Sequence, residues 1–307
     1  MTVCSLLVAL FPFAPKGAAG KLEVTILDVG QGDSLFVVSP RGKTLLIDGG
    51  GAFRGFPGHE EHVRIDPGEE AVSPYLWSRG YQKLDVVALT HAHQDHLGGL
   101  LAVLENFRVG RLWIGRDVNS PALAKLEELA RVRKIPIEHE VRGKTFAWDG
   151  VEGEFFWPDA PSTEAGPTAK NNDSLVLRLH YGNRTILLPG DAEKEAERAI
   201  LAEHDGASLQ ADVLKVGHHG SKNSTMPDFL AAVRPQVAII SAGDENPYGH
   251  PSPELLARLE AAGVRVVRTD RDGAVQVRTD GERVEVTCFL ACPQPASEAI
   301  ASTPHME

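Results

Sequence analysis

The sequence predicts an α+β domain in which two β-sheets pack face to face with helices on the outside. Three observations predict it. Short apolar runs of strand length follow one another in meanders joined by tight turns, and helices are interspersed without a regular strand–helix alternation. No repeat or internal linker divides the chain. Polar side chains of metal-binding type recur where an apolar run stops, which places them on one rim if the strand ends converge.

Residues 21–29 and 34–39 read as two strands around the turn Gly30-Gln31-Gly32-Asp33, and 44–48 as a third that ends in Asp48-Gly49-Gly50-Gly51. Asp28, Gln31 and Asp33 are expected to stabilise that turn through side-chain to backbone hydrogen bonds. A Gly-rich loop from 52 to about 67 follows, long enough to be a lid, and it holds His59-Glu60-Glu61-His62, read as an exposed loop. Residues 69–79 are expected to be a helix, 84–89 a buried strand and 100–104 the buried side of a helix. Next come a strand at 111–114, a helix at 121–133 with core positions Leu123, Leu126 and Leu129, and strands at 135–141, 145–148 and 154–157. After a polar loop at 162–172, residues 174–181 and 184–188 flank Gly182-Asn183 as a hairpin. A helix at 192–203, strands at 212–216 and 237–241, a helix at 253–262, a strand at 264–268 and a hairpin around Asp280-Gly281 complete the domain.

The chain has 307 residues, enough for one large domain with a substantial core. Its net charge of −11 excludes a surface that holds nucleic acid by bulk charge. It does not exclude a nucleic-acid enzyme, because bound divalent ions reverse the field locally. Cys4, Cys288 and Cys292 make no zinc pattern, and Cys288 and Cys292 are read either as a pair across a hairpin end or as free thiols. The organisation expected is a short apolar segment and linker at 1–20, one domain at 21–290 and a disordered tail at 291–307. The apolar part of the first segment is too short to span a bilayer and lacks a basic leader. It reads as a degenerate export signal, as the last part of a transmembrane helix, or as a packed terminus.

The chemistry centres on His91-Ala92-His93-Gln94-Asp95-His96, where four ligand-type side chains fall between the strand at 84–89 and the next helix. His91 and His93, two apart on extended backbone, point the same way. Asp95 and His96 follow on the turn, so one loop serves two neighbouring ions. Asp48, Asp191, His218-His219 and His250 stand at other strand ends or loops.

His91-x-His93-x-Asp95-His96-x-Gly98-Gly99 resembles the signature of the metallo-β-lactamase superfamily, and Asp48, Asp191 and His218 follow in that superfamily's order. The segments Leu27-Asp28-Val29-Gly30-Gln31-Gly32-Asp33-Ser34, Asn172-Asp173-Ser174-Leu175, Lys215-Val216-Gly217-His218-His219-Gly220-Ser221 and Tyr248-Gly249-His250-Pro251 are similar to the C-terminal domain of ComEC-type DNA-uptake (competence) proteins. The resemblance implies a four-layer αββα sandwich that holds two divalent metal ions, Zn or Mn. His91 and His93 would bind one ion, Asp95, His96 and His218 the other, and Asp191 would bridge them. Asp48 would orient a ligand His or the reacting water, with Asp95 beside it. His250 would contact phosphate or act as general acid, and Asn172, His219, Ser221 and Lys222 would line the substrate. One departure is visible. Where many members carry a further His, this chain has Asn171-Asn172-Asp173-Ser174, with Asn172 the candidate substitute.

The function implied is a metal-dependent nuclease acting on single-stranded DNA during uptake, outside the cytoplasm, through a water activated at a dinuclear site. It would be joined to a membrane channel or to the membrane through the N-terminal segment, or cytoplasmic if that segment is neither an export nor a membrane signal. Two alternatives stand beside it: hydrolysis of a small substrate such as a lactone, a β-lactam or a surface phosphodiester, and a binding module that keeps the fold without the chemistry.

Overall fold

The computed structural model describes residues 17, 19–51, 66–116, 118–159 and 168–292. Most of the 1–20 segment, the His59–His62 stretch with most of its loop, and nearly all of the 291–307 tail lie outside the described residues.

In chain order the strands are β1 (Leu22–Ile26), β2 (Leu35–Val38), β3 (Thr44–Ile47), β4 (Lys83–Leu84), β5 (Val86–Leu89), β6 (Arg108–Val109), β7 (Leu112–Ile114), β8 (Ile137–His139), β9 (Thr145–Trp148), β10 (Val151–Trp157), β11 (Val176–Tyr181), β12 (Arg184–Leu188), β13 (Val213–Lys215), β14 (Val237–Ile240), β15 (Arg265–Arg268), β16 (Val275–Thr279) and β17 (Val284–Cys288). The helices are α1 (Ser73–Ser78), α2 (Gln94–Leu97), α3 (Leu100–Asn106), α4 (Pro121–Val132), α5 (Lys194–Glu203), α6 (Pro227–Val233), α7 (Pro253–Ala261) and α8 (Thr269–Asp272).

One sheet has eight strands in the order β17-β16-β1-β2-β3-β5-β7-β8, and the second has seven in the order β15-β14-β13-β12-β11-β10-β9. Each mixes an antiparallel half with a parallel half: β3, β5, β7 and β8 run parallel in the first, and β12 through β15 in the second.

The period of two sorts the side chains into layers. Leu22, Val24 and Ile26 of β1, Leu45 and Ile47 of β3, and Val86 and Ala88 of β5 face the second sheet, where Phe155, Leu177, Leu179, Val213 and Ile239 meet them. The alternate residues Phe36, Leu46, Val87 and Leu89 face outward under α1, α3 and α4, against Leu76, Leu100, Val103, Leu123 and Leu126. On the far side, Leu187 and Leu214 pack beneath Ala196, Ile200, Phe229 and Val233 of α5 and α6, and Ala238 and Ile240 beneath Leu255 and Leu259 of α7. The layers are therefore αββα, as expected. Strands covered on both faces read as continuous apolar runs, which is why 84–89 showed no alternation.

Several elements differ from expectation. Asp85 interrupts the 84–89 strand: its carboxylate accepts from Thr44 N (3.1 Å), and its N–H from the backbone is taken by Thr44 Oγ1 (2.9 Å). Strand β10 begins three residues earlier than expected because Asp149 (φ 57°) and Gly150 (φ 88°) make a tight turn back to β9. The helix at 69–79 starts with a wider, π-type turn over Gly68–Val72. Helix α6, with Pro227 in its first turn, was not foreseen. Cys288 and Cys292 are joined as a disulfide, with their Cα atoms 5.2 Å apart, which settles the choice the sequence left open.

Candidate metal centre

Parallel strands of both sheets bring their C-terminal ends to one edge, and the polar residues noted above stand there. Asp48 follows β3, His91 to His96 follow β5, Asp191 follows β12, and His218-His219 follow β13.

The turn that carries Asp95 and His96 is fixed by backbone packed against backbone. A Cβ on Gly49 would lie 2.6 Å from Leu100 N, and one on Gly51 would lie 2.5 Å from Asp95 Cα, so neither position admits a side chain. Gly49 N donates to His96 O (2.7 Å), and Asp33 N donates to Asp95 O (3.1 Å). The loop after β3 and the turn before β2 thereby clamp the ligand turn together.

Asp95, His96, Asp191 and His219 bring one ligand atom each to within 4.8 Å of one another. His96 Nε2 lies 3.1 Å from Asp191 Oδ2, and His219 Nε2 lies 3.4 Å from both Asp95 Oδ2 and Asp191 Oδ2. His96 Nε2, His219 Nε2 and Asp191 Oδ1 are buried without a hydrogen-bond partner. Buried polar atoms left unpartnered are costly, and carboxylate and imidazole atoms aimed at one point are what a divalent cation takes. The donor set fits a metal ion. Burial alone would lower His96, yet Asp191 and Asp48 carry it well above its ordinary value. His219 is likewise opposed by burial and raised by Asp191 and Asp33. Burial pushes Asp191 up, but His219 and His96 hold it well below the usual carboxylate range. Two carboxylates and two imidazoles thus face one another, and an ion bound among them would take the imidazoles in their neutral form.

Asp48 is fully buried. It accepts from His96 Nδ1 (2.7 Å), Thr90 N (2.7 Å) and Thr90 Oγ1 (2.7 Å), which orients His96 toward Asp191. His91 Nε2 and His93 Nδ1 stand 2.9 Å apart. His91 Nδ1 meets Thr90 Oγ1 and Ser174 Oγ at 3.2 Å each, and His93 Nε2 reaches Ala169 O at 3.1 Å. Burial, and then His96 beside it, push His91 well below its ordinary value. This pair adjoins the four-residue group without belonging to it.

The geometry places His219, not His218, in that group. His218 (φ 45°, ψ 53°) and His219 (φ 51°, ψ 20°) are both left-handed, so the chain coils after β13 instead of continuing the strand's alternation. His219 turns inward, with Nδ1 on Ser241 O at 3.0 Å. His218 turns outward, with Nδ1 on Glu193 Oε1 at 2.9 Å and Nε2 3.9 Å from Asp191 Oδ2. Asn172 is also displaced from its expected place. Its Oδ1 accepts from Glu193 N (2.9 Å) and Ala196 N (3.4 Å), capping α5. It is Asn171 whose Nδ2 stands 3.2 Å from His218 Nδ1 at the site.

Above the cluster opens a cavity of about 690 Å³ lined by His93, Asp95, Asn171, His218, His219, Ser221, Lys222, Tyr248 and His250 among others. Burial, with His218 and His219 adding to it, depresses His250 to about 4. Its Nδ1 is buried and unpartnered.

Below the cluster sits a pair the sequence did not disclose. Lys215 and Asp33, both 1% exposed, form an ion pair, and Lys215 Nζ lies 4.0 Å from Asp191 Oδ1. Asp33 Oδ1 is also 3.4 Å from His219 Nδ1. Burial would raise Asp33, but Lys215 and then His219 hold it below the usual range. Asp33 is therefore more than a turn residue, whereas Asp28 does accept from Gly30 N (3.2 Å) as expected. Gln31 reaches across to Gly243 N (3.1 Å). Asp33, Asp48 and His96 also approach one another closely, but there the Lys215 ammonium already supplies the cation.

A family model of the metallo-beta-lactamase superfamily matches residues 27–244. The chain belongs to that superfamily. ComE operon protein 3 of Bacillus subtilis is 38% identical over 279 residues, covering 90% of this chain and 35% of that protein. Competence protein ComA of Neisseria gonorrhoeae is 30% identical over 272 residues, covering 88% of this chain and 34% of that protein. The chain thus spans about a third of the length of these curated relatives. The crystal structure of CmlA, a diiron beta-hydroxylase from Streptomyces venezuelae, superposes with a TM-score of 0.53 at 15% identity, covering 90% of this chain and 59% of CmlA. At that identity the likeness speaks for the metallo-beta-lactamase fold alone. For this superfamily member, the residues that sequence reasoning missed are His219 as a member of the inner group, Asn171, Glu193 and Lys215. The segment Lys215-Val216-Gly217-His218-His219-Gly220-Ser221 contained two of them, but nothing in it reveals which His turns inward.

Proposed function

We propose that this chain is a metal-dependent phosphodiesterase that cuts DNA, single strands above all, during DNA uptake. The observation that carries the reading is the inner group: His96 Nε2, His219 Nε2 and Asp191 Oδ1 are buried without a hydrogen-bond partner beneath an open cavity, with Lys222 and three further imidazoles, those of His93, His218 and His250, in its wall. The relatives named as competence proteins support DNA as the substrate.

Asp95, His96, His219 and Asp191 would hold one divalent ion, Zn or Mn, and His91 and His93 would hold a second. Such ions lower the pKa of a water and offset the charge that develops on a phosphoryl group. The chain's own residues do the rest. Asp48 fixes the His96 tautomer by accepting from Nδ1. Lys222 draws the phosphate into the cavity. His250, neutral at physiological pH because burial depresses it to about 4, donates a hydrogen bond to a phosphate oxygen. His218, backed by Glu193 at 2.9 Å and lining the cavity, would be the general acid to the leaving oxygen. The disulfide between Cys288 and Cys292 supports an oxidising, extracytoplasmic location. Among the described residues no helix is long and apolar enough to cross a membrane. Attachment to a channel domain is proposed from the relatives' greater length.

The test is a nuclease assay of the purified chain with Mn²⁺ or Zn²⁺ on labelled single- and double-stranded DNA, with metal content measured on the same sample. Cleavage abolished by Asp191→Ala is the expected result. Metal-loaded protein that leaves both DNA forms intact would remove the nuclease reading, and cleavage of a lactone or β-lactam in its place would move the function to small substrates.

A further inference from the structure

Tyr248 is 67% exposed and lines the mouth of the cavity. It is the outermost of a file of rings that leads inward. Its ring lies near-parallel to that of His250 (centroids 6.0 Å apart, 29° between planes), His250 is 5.3 Å from His218, and His218 is 6.0 Å from His219 in the inner group. The loop that carries it is held in shape. Asn246 Nδ2 donates to Gly243 O (2.8 Å) and His250 O (2.5 Å), and Asn246 Oδ1 accepts from His250 N (3.0 Å). With one face toward His250 and two thirds of its surface in solvent, the ring leaves its other face open. Lys222 is the one Lys or Arg among the cavity's described lining residues, and Glu254 is an acidic neighbour at the rim.

We propose that Tyr248 is the stacking platform for one unpaired base of a single-stranded nucleic acid whose neighbouring phosphate enters the inner group past Lys222. This deepens the phosphodiesterase reading and rests on it. A held aromatic beside a lone cation is what a strand with alternating π-faces and phosphates requires, and it is indifferent to base identity because every base has a π-face. It also selects against duplex, whose bases are already stacked on both sides and paired. Pre-organisation of the loop by Asn246 reduces the entropy lost when the base docks.

The experiment uses the full chain with Zn²⁺ and a short phosphorothioate oligodeoxynucleotide containing one 2-aminopurine, whose fluorescence is quenched by stacking. The wild type and Tyr248→Phe should quench it and Tyr248→Ala should not, while the annealed duplex should show no dependence on Tyr248. In cleavage of an ordinary single strand, Tyr248→Ala should raise KM on the order of tenfold with kcat nearly unchanged. Because the side chain is exposed, the alanine variant is expected to fold, and Tyr248→Phe controls for loop geometry. Equal quenching by wild type and Tyr248→Ala, or no quenching by the wild type, overturns the platform. Quenching that follows Tyr248 in a protein that cleaves no phosphodiester supports the platform and overturns the proposed function, so the two fail separately.

Discussion

Lys215→Met removes one ammonium from the floor of the site and leaves its volume nearly filled. In the wild type that ammonium is 1% exposed, pairs with Asp33 and stands 4.0 Å from Asp191 Oδ1. At an effective dielectric near 20, each unit-charge contact at that distance contributes about 4 kcal/mol before desolvation. Losing one partner of a buried pair costs about 3–5 kcal/mol, since the remaining carboxylate stays buried. For a domain of this size that corresponds to a fall in melting temperature of about 10 °C. The sign with pH follows from Asp33, whose folded pKa is depressed below 3.8. Its contribution is fully present above 3.8 and is lost as pH falls through the lower folded value. Without Lys215 the carboxyl titrates higher, so acid destabilisation begins at higher pH. The assay is urea denaturation of Lys215→Met, Asp33→Asn and the double variant, in chelator and then with Mn²⁺. The double variant should cost clearly less than the sum of the singles. Additivity within about 0.5 kcal/mol would show that the two groups are uncoupled and would refute the reasoning.

Other outcomes follow from single contacts. His219→Ala should lose one equivalent of tightly bound metal by elemental analysis, whereas His218→Ala should retain its metal and lose turnover. The reverse pattern would return the ligand role to His218. Asp48→Asn should weaken metal binding by about 10–100-fold in chelator competition, because one amide oxygen cannot accept from both Thr90 N and His96 Nδ1 as the two carboxylate oxygens do. Burial pushes Glu197 to about 7 while Thr225 N and Met226 N donate to it. A carboxyl raised from 4.5 favours the folded state when protonated, so stability should fall as pH rises from 4.5 to about 7. Glu197→Gln should flatten that slope, whose full size is on the order of 3 kcal/mol, and an unchanged slope in thermal melts at several pH values would contradict the assignment.

The layers and the first half of the centre were legible because their signals are local. Apolar runs of strand length mark β3, β5 and β12, and His91, His93, Asp95 and His96 lie within one turn, so their proximity needs no tertiary knowledge. What stayed hidden depended on backbone hand and on long-range contact. Two consecutive left-handed residues decide between His218 and His219, and neither is the glycine or asparagine that usually announces such a conformation. A short 3-10 turn over Asn171–Asp173 rotates Asn171 toward the site and sends Asn172 to cap α5. Lys215 and Asp33 are 182 residues apart, and a lysine inside an apolar strand gives no sign of its partner.

The glycines under the Asp95–His96 turn and the residues at the mouth of the cavity live under opposite constraints. Gly49 and Gly51 have no room for a single carbon, so change there deforms the ligand turn. Lys222 and Tyr248 are exposed, and a changed side chain there meets solvent rather than packed backbone. Mutational drift is therefore steered toward the rim: exposed positions such as Lys222 and Tyr248 can change while the packed frame of the candidate metal centre is inherited intact, and a library confined to them is the place to look for new preferences.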